Sequence, residues 1–235
     1  MIKILEEKVK QDTEKKLAAE KAVEFVEDGM TIGIGTGSTV YHAIKKLGDL
    51  AKNGLNFSAV STSESTTKLA VSSGIRLITL DEAVRLDLNI DGADEADRNF
   101  NGIKGGGGAL LFEKIVALSS EKNIWIVDSS KNVEQLGKFP LPVEVIPFGY
   151  KRVLNIFNDM KYNPELRIKN GNTFLTDSGN YIIDLYIKKI EEADSLDKEI
   201  KIITGVVETG LFINIADVII TGINNTTQTL RKERS

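Results

Sequence analysis

Apolar positions along this chain follow two spacings that take turns. Residues 13–27 set apolar side chains on one face and charges on the other, which predicts an amphipathic helix. MTIGIG at 30–35 predicts a short buried strand. STVYHAIKKLGDLA at 38–51 returns to helical spacing and opens at Ser38 or Thr39, whose hydroxyls suit a helix N-cap. The alternation continues with NFSAVST (56–62) as a strand, SESTTKLAVSS (63–73) as a helix, and IRLITL (75–80) and LDLNID (86–91) as strands. In GALLFEKIVALSS, Leu111, Ile115 and Leu118 recur at i, i+4 and i+7 and predict one apolar stripe on a helix over 107–119. NIWIVD (123–128) follows as a strand. Strands alternating with helices in this way predict an α/β layer on a mostly parallel sheet.

The pattern changes at KFPLPVEVIPFG, where three of the four prolines fall within eight residues. Beyond it come a strand, a helix in YKRVLNIFNDM, strands around ELRIK and in TFLTDSGNYIIDLYI with a turn at 177–180, and a charged helix near DSLDKEIKII. That order predicts a small α+β unit. GLFINIADVIITGI then returns to buried-strand composition. The boundaries read as 1–139 with 210–235 for the α/β domain and 140–209 for the smaller one.

Bulk composition narrows the function classes. The 235 residues carry a net charge of −4 without a basic cluster, which argues against nucleic acid or an anionic membrane as the main partner. Cysteine is absent, so disulfides, thiol catalysis and thiolate metal sites are excluded; a reducing, cytoplasmic setting fits. Charge begins at the third residue, which breaks the apolar core that a signal peptide or membrane anchor needs.

The polar motifs gather at the carboxyl ends of the predicted strands. GIGTGSTV follows the first, DGADEAD the fourth, KGGGGAL comes soon after, and VDSSK ends the fifth. In an open parallel sheet those ends line one rim, where ligands bind. GIGTGSTV lacks the third glycine of a dinucleotide fingerprint and the Gly-Lys-Ser/Thr of a phosphate-binding P-loop; its hydroxyls suit a small phosphate, while taken alone the motif reads rather as a capped helix with no ligand. KGGGGAL leads into a helix, so its N–H groups could bind an anion, or simply make a tight turn. DGADEAD supplies Asp91, Asp94, Glu95 and Asp97 without calcium-loop spacing; magnesium and a solvated turn both remain open. The lone histidine, His42, reads as structural. A general base near neutral pH is then a carboxylate or a lysine, and Glu113, early in the glycine-led helix, is the best candidate. The alternative is an exposed helix glutamate beside Lys114. Helix end and Lys104 would favour its ionised form, burial its neutral one.

GIGTGSTV, DGADEAD, KGGGGALLFEKI, VDSSK, FPLPVEV, TDSGNYIID and GVVETGLF, in this order, make the chain resemble type A ribose-5-phosphate isomerase over nearly its whole length. The resemblance implies interconversion of D-ribose 5-phosphate and D-ribulose 5-phosphate without organic cofactor or metal. It implies a Rossmann-like domain carrying a smaller ferredoxin-like α+β domain, in a homodimer or homotetramer. By motif, Glu113 is the proton acceptor, with Asp91, Asp94 and Lys104 assisting. Substrate contacts fall on Thr36, Gly37, Ser38 and Thr39, on Asp91, Gly92, Ala93 and Asp94, on Lys104, Gly105, Gly106 and Gly107, and on Lys131. Phe112 departs from the family pattern, which leads one to expect a polar residue before the Glu-Lys pair. A phosphosugar sensor and a nicotinamide dehydrogenase are the rival readings. The sensor lacks a DNA-binding segment, and the dehydrogenase lacks both its third glycine and an acid ending the second strand.

Overall fold

The structure, a computed structural model, describes residues 2–233, with side chains described from Glu6 on. Contacts within the chain group it into two compact units. One holds the residues up to Ala93, Phe112–Asn132 and those from Ile215 on; the other holds Asp94–Leu111 and Val133–Asn214.

The first unit is built on a six-stranded sheet. Its strands are β1 (Thr31–Ile34), β2 (Ser58–Ser61), β3 (Leu88–Gly92), β6 (Asn123–Asp128), β14 (Val218–Ile223) and β15 (Thr226–Arg231), in the order β15-β14-β6-β3-β1-β2. All neighbours are parallel except β15, which closes the β14 edge as a hairpin. Helices α1 (Ile2–Val23), α2 (Ser38–Lys52) and α3 (Glu64–Ser72) belong to this unit, as does most of α4 (Leu110–Leu118). Ile32, Ile34, Ile90, Ile124, Ile126 and Ile220 form the core with Ala18, Ala22 and Leu47. Each large aliphatic buried there stabilises by about 1.5–3 kcal/mol.

Two elements differ from expectation. α1 begins at Ile2 rather than near residue 13, because Glu6 to Lys10 are exposed and apolar periodicity gives no sign of a helix sustained by Lys and Glu propensity. IRLITL is no strand. It makes a single parallel bridge, with Ala59 donating to the Arg76 carbonyl and Ile78 to the Ala59 carbonyl at 2.9 Å each. Thr79 and Glu82 then form a capping box that opens a 3₁₀ turn at Leu80–Glu82 and ends the extended run.

The second unit carries a four-stranded antiparallel sheet, in the order β12-β7-β11-β8. These are β7 (Leu141–Val145), β8 (Pro164–Leu166), β11 (Tyr181–Leu185) and β12 (Val206–Thr209). α5 (Tyr150–Asp159) and α6 (Ala193–Lys201) contribute Phe157 and Ile200 to its core, beside Val143, Val145, Ile183 and Leu185. β9 (Ile168–Lys169) and β10 (Asn172–Thr173) form a hairpin. β4 (Glu95–Ala96), β5 (Gly102–Ile103) and β13 (Leu211–Phe212) make a small antiparallel sheet. That sheet is why 94–111 and 210–214 group with this unit instead of with the α/β sheet, as the 140–209 boundaries would have it. Of GLFINIADVIITGI, only the part forming β14 joins the large sheet.

His42 is structural: its Nε2 lies 3.0 Å from Asp12 Oδ1, across α1 and α2, and its ring meets Tyr41 edge-on. Glu14, also on α1, is buried, and its Oε2 accepts the N–H and hydroxyl of Ser129 at 3.0 and 2.7 Å. Burial pushes its carboxyl up, but the Ser129 donors, the Asn224 N–H and Lys10 together outweigh that and leave it below its ordinary value of 4.5. A carboxylate depressed in the fold stabilises fully above its unfolded pKa, and this stabilisation disappears as pH falls through the folded one. Glu14→Gln sets an amide N–H against Ser129 and is expected to cost about 1–3 kcal/mol at pH 7. The urea-midpoint gap from wild type should close below pH 4.5; a gap independent of pH would refute the charge-based account.

Candidate active site

In the first unit, β1 and β3 end side by side, and the chain leaves both through glycine. Gly35 donates to the Ile90 carbonyl at 2.9 Å, extending the ladder one residue past β1. Asp91 is 1% exposed and its Oδ1 accepts from Thr36 N–H at 3.1 Å and Gly92 N–H at 2.7 Å. A Cβ on Gly35 would fall 1.8 Å from that oxygen, so the two loops meet there only because residue 35 has no side chain. Asp91 is thus buried and does not belong to a solvated turn.

Thr36 turns its hydroxyl inward to those of Thr62, Ser63 and Thr66, at 2.8 to 3.1 Å, while Thr66 donates to the Gly35 carbonyl. Its side chain is therefore engaged with the start of α3, and its main chain with Asp91. Neither Ser38 nor Thr39 caps α2. The cap is Gly37, at φ 132, and the helix begins at Ser38. Gly37 and Ser38 lie exposed and Thr39 is buried, so the first turn of α2 opens outward with hydroxyls beside its N–H groups. Lys131 ends a 3₁₀ turn, Ser129–Lys131, capped by Asp128 and braced by Glu14 through Ser129.

α4 inverts the expected pattern. Glu113 and Lys114 are each 4% exposed, whereas Ile115 is 43% and Leu118 70% exposed. The stripe of Leu111, Ile115 and Leu118 is thus not the buried face; Leu110, Val116 and Ala117 are, together with the two charges. This settles against an exposed Glu113–Lys114 pair. Phe112, 37% exposed, lines with Ile115 and Val116 a cavity of about 580 Å³ whose other wall includes Leu77, Thr79 and Leu80.

In the second unit the four acids of DGADEAD separate. Asp94 Oδ2 accepts the Gly106 N–H at 2.7 Å. Glu95 is a brace, accepting Gly137 and Phe139 N–H groups at 2.7 and 2.6 Å. Asp97 holds the turn that follows through Asn99 and Asn101. Lys104 is 2% exposed, donates its N–H to the Gly210 carbonyl at 2.9 Å, and places Nζ 5.3 Å from the Phe212 ring centre. The helix expected over 107–119 begins only at Leu110. Residues 105–108 form a separate turn, closed by Gly108 N–H donating to the Gly105 carbonyl at 3.0 Å, with Gly106 and Gly107 exposed. Gly108 has φ +86, and a Cβ there would lie 2.4 Å from the Phe174 ring.

The sequence reading missed the supporting residues: Glu14 and Ser129 beneath Lys131, and Arg167 and Asp184 beside the glycine turn. Only a three-dimensional pairing reveals them, because Glu14 and Ser129 are 115 residues apart and Arg167 and Asp184 belong to a different sheet motif. Among the described residues, no three His, Cys, Asp or Glu side chains cluster to hold a metal ion. None of the helices there is long and apolar enough to cross a membrane.

The family model of ribose 5-phosphate isomerase A (phosphoriboisomerase A) matches residues 58–226. The ribose-5-phosphate isomerase A of Levilactobacillus brevis is 53% identical over 214 residues, covering 90% of this chain and 94% of that protein. The solved structure of the ribose 5-phosphate isomerase from Plasmodium falciparum superposes with a TM-score of 0.91 at 38% identity, covering 95% of this chain and all of that one. A D-ribose-5-phosphate isomerase solved in complex with phospho-erythronic acid gives 0.90 at 39% identity, covering 93% and 97%.

Gly35→Ala drives a methyl group into the Asp91 carboxylate. We expect it to lower stability by about 1–3 kcal/mol, the cost of overpacking, read as a lower urea midpoint. An unchanged midpoint would show that Asp91 has room to withdraw.

Proposed function

The chain belongs to the ribose 5-phosphate isomerase A family and interconverts D-ribose 5-phosphate and D-ribulose 5-phosphate in the pentose phosphate pathway, and from that premise we propose how its residues share the work. Going from aldose to ketose, a proton leaves C2 and one arrives at C1, while the hydroxyl proton moves from O2 to O1. The enediolate between the two steps carries negative charge on oxygen. Glu113 is the group that takes the proton from C2 and returns it to C1 on one face of the sugar. The observation that carries this is its burial in the first turn of α4: a carboxylate kept from bulk water does not lose the proton to solvent at once.

Lys104 and the glycine-turn N–H groups stabilise the developing oxyanion, as preorganised donors do where water is scarce. Asp91 and Asp94 accept sugar hydroxyls and help to move the hydroxyl proton or open the ring; the backbone N–H groups that grip them support this, since they fix where each carboxylate points. Gly92 and Ala93 supply the main chain between them. The phosphate goes to Ser38, Thr39 and Lys131, with Gly37 and Thr36 contributing backbone, and its binding energy orients the reacting carbons. The phospho-erythronic acid of the related complex bears a planar carboxylate with charge shared over two oxygens, as the enediolate does, and we use it as a probe of the same donors. The cytoplasm is the location we propose, on the absence of cysteine.

Glu113→Gln is expected to lower kcat by about 10²–10⁴-fold while phospho-erythronic acid still binds. Chelator-treated wild type turning over ribose 5-phosphate in deuterated water should place label at the reacting carbon in only part of the product, the rest keeping the transferred proton; complete labelling from the first turnover would remove the shielding argument. Full activity in Glu113→Gln removes the base assignment.

A homodimer or homotetramer is proposed as the working form, and α4 supports it by exposing Phe112, Ile115 and Leu118, apolar surface that a second copy would cover. Light scattering on the purified protein should give twice or four times the chain mass of 25.8 kDa; a monomer at working concentration would remove the proposal.

A further inference from the structure

A run of four glycines is the least constrained backbone a protein can use, because no Cβ limits its torsion angles. Donors that stabilise an oxyanion must nevertheless be fixed before the charge appears. The turn cannot supply that rigidity from its own side chains, so it has to come from outside the run.

Arg167 supplies it. Its Nη1 donates to the carbonyl of Gly105 at 2.7 Å and to that of Gly106 at 3.3 Å. On its other edge, Nε donates to Asp184 Oδ2 at 2.8 Å and Nη2 to Asp184 Oδ1, so the guanidinium is held by both carboxylate oxygens. The root of the side chain is fixed as well, since Arg167 N–H donates to the Ile182 carbonyl and its carbonyl accepts from Phe174 N–H. Asp184 lies in β11, within the four-stranded sheet. Only an arginine has planar donors on two edges that can serve both tasks at once.

In a trans peptide the N–H points opposite to the C=O. With the Gly105 carbonyl on Arg167, the N–H of Gly106 is directed the other way, where it meets Asp94 Oδ2 at 2.7 Å. With the Gly106 carbonyl on Arg167, the N–H of Gly107 is likewise turned away from the guanidinium. We propose that Arg167, locked by Asp184, is a positioning residue for the isomerisation: it sets the two peptide planes between Gly105 and Gly107, and through them the Gly107 N–H and the Asp94 carboxylate. The cationic end of this chain also polarises the Gly105–Gly106 peptide, strengthening its N–H as a donor to Asp94. The proposal rests on the reading that the glycine turn and Asp94 contact the sugar.

The test compares Arg167→Met, Arg167→Lys, Asp184→Asn and, in parallel, Glu113→Gln, by kcat, KM, the affinity of phospho-erythronic acid and the thermal midpoint. Arg167→Met should lower kcat by up to about 10²-fold, the low end of the loss of one oxyanion donor because the donor is misdirected and not removed, with KM changed much less. Affinity for phospho-erythronic acid should fall in step with kcat/KM while the folded fraction at assay temperature stays complete. Arg167→Lys should recover part of the loss, and in a further variant, Arg167→Ala, added guanidinium ion should restore part of the turnover. Wild-type kcat and phospho-erythronic acid affinity in folded Arg167→Met would overturn the proposal, as would activity lost only in proportion to unfolded protein. Should Arg167→Met fail to fold, Asp184→Asn decides by the same readouts. An inactive Glu113→Gln beside a fully active Arg167→Met defeats only this inference; an active Glu113→Gln defeats the base assignment beneath it.

Discussion

The contact that organises the end of the first unit's sheet is a missing side chain against a carboxylate. Asp91 reaches the N–H groups of Thr36 and Gly92 because Gly35 has no Cβ, which would stand only 1.8 Å from its Oδ1. Close approach fixes the strand end: the carboxylate is held by charge-assisted bonds, and the loop it holds carries the start of α2. The register of β1 against β3 sets this up. Ile34 pairs with Ile90, and the next residue on each strand is the glycine and the aspartate. The sheet's buried isoleucines thus determine where the polar residues meet.

The second unit uses the same device with its polarity doubled. A peptide group of the glycine turn is gripped at its carbonyl by Arg167 and at its N–H by Asp94. In both units a carboxylate is aimed by main-chain donors, which cost less conformational entropy than mobile side chains and resist rotamer change. Charge buried in this way is expensive unless it is hydrogen-bonded, so residues such as Glu113, Lys104 and Lys114, each under 5% exposed, mark places where folding alone would have chosen apolar side chains.

This cost also explains what was legible in the sequence. The parallel strands were, since β1, β3, β6 and β14 are apolar runs buried on both faces. The loops at their ends could be placed by position along the chain. The segment 75–80 was not, because strand composition and a capping box compete there and the box prevails after one bridge. The helix caps also misled: Ser38 has the right chemistry, yet Gly37 takes the position, since its φ of 132 is closed to serine. The three-stranded sheet was illegible for a different reason. Strands of two residues carry no periodicity, and only their pairing shows that residues 95–96, 102–103 and 211–212 belong together.

α4 is the sharpest case, and the reason for its failure is informative. A reading by apolar spacing assumes that burial follows hydrophobicity, and along α4 it does not: Ile115 and Leu118 are exposed while Glu113 and Lys114, just before them, are buried. Both stripes exist in the sequence, one apolar and one holding the two charges, and local propensity cannot choose between them because either suits a helix. The choice is made by chemistry beyond the helix. On the proposed reading the carboxylate is a base and is turned inward, and turning it inward rotates the apolar stripe outward by the same angle. Where a helix combines a buried acid with an exposed aliphatic row, the departure from pattern therefore points to function on the inner side and to an unmet hydrophobic surface on the outer one.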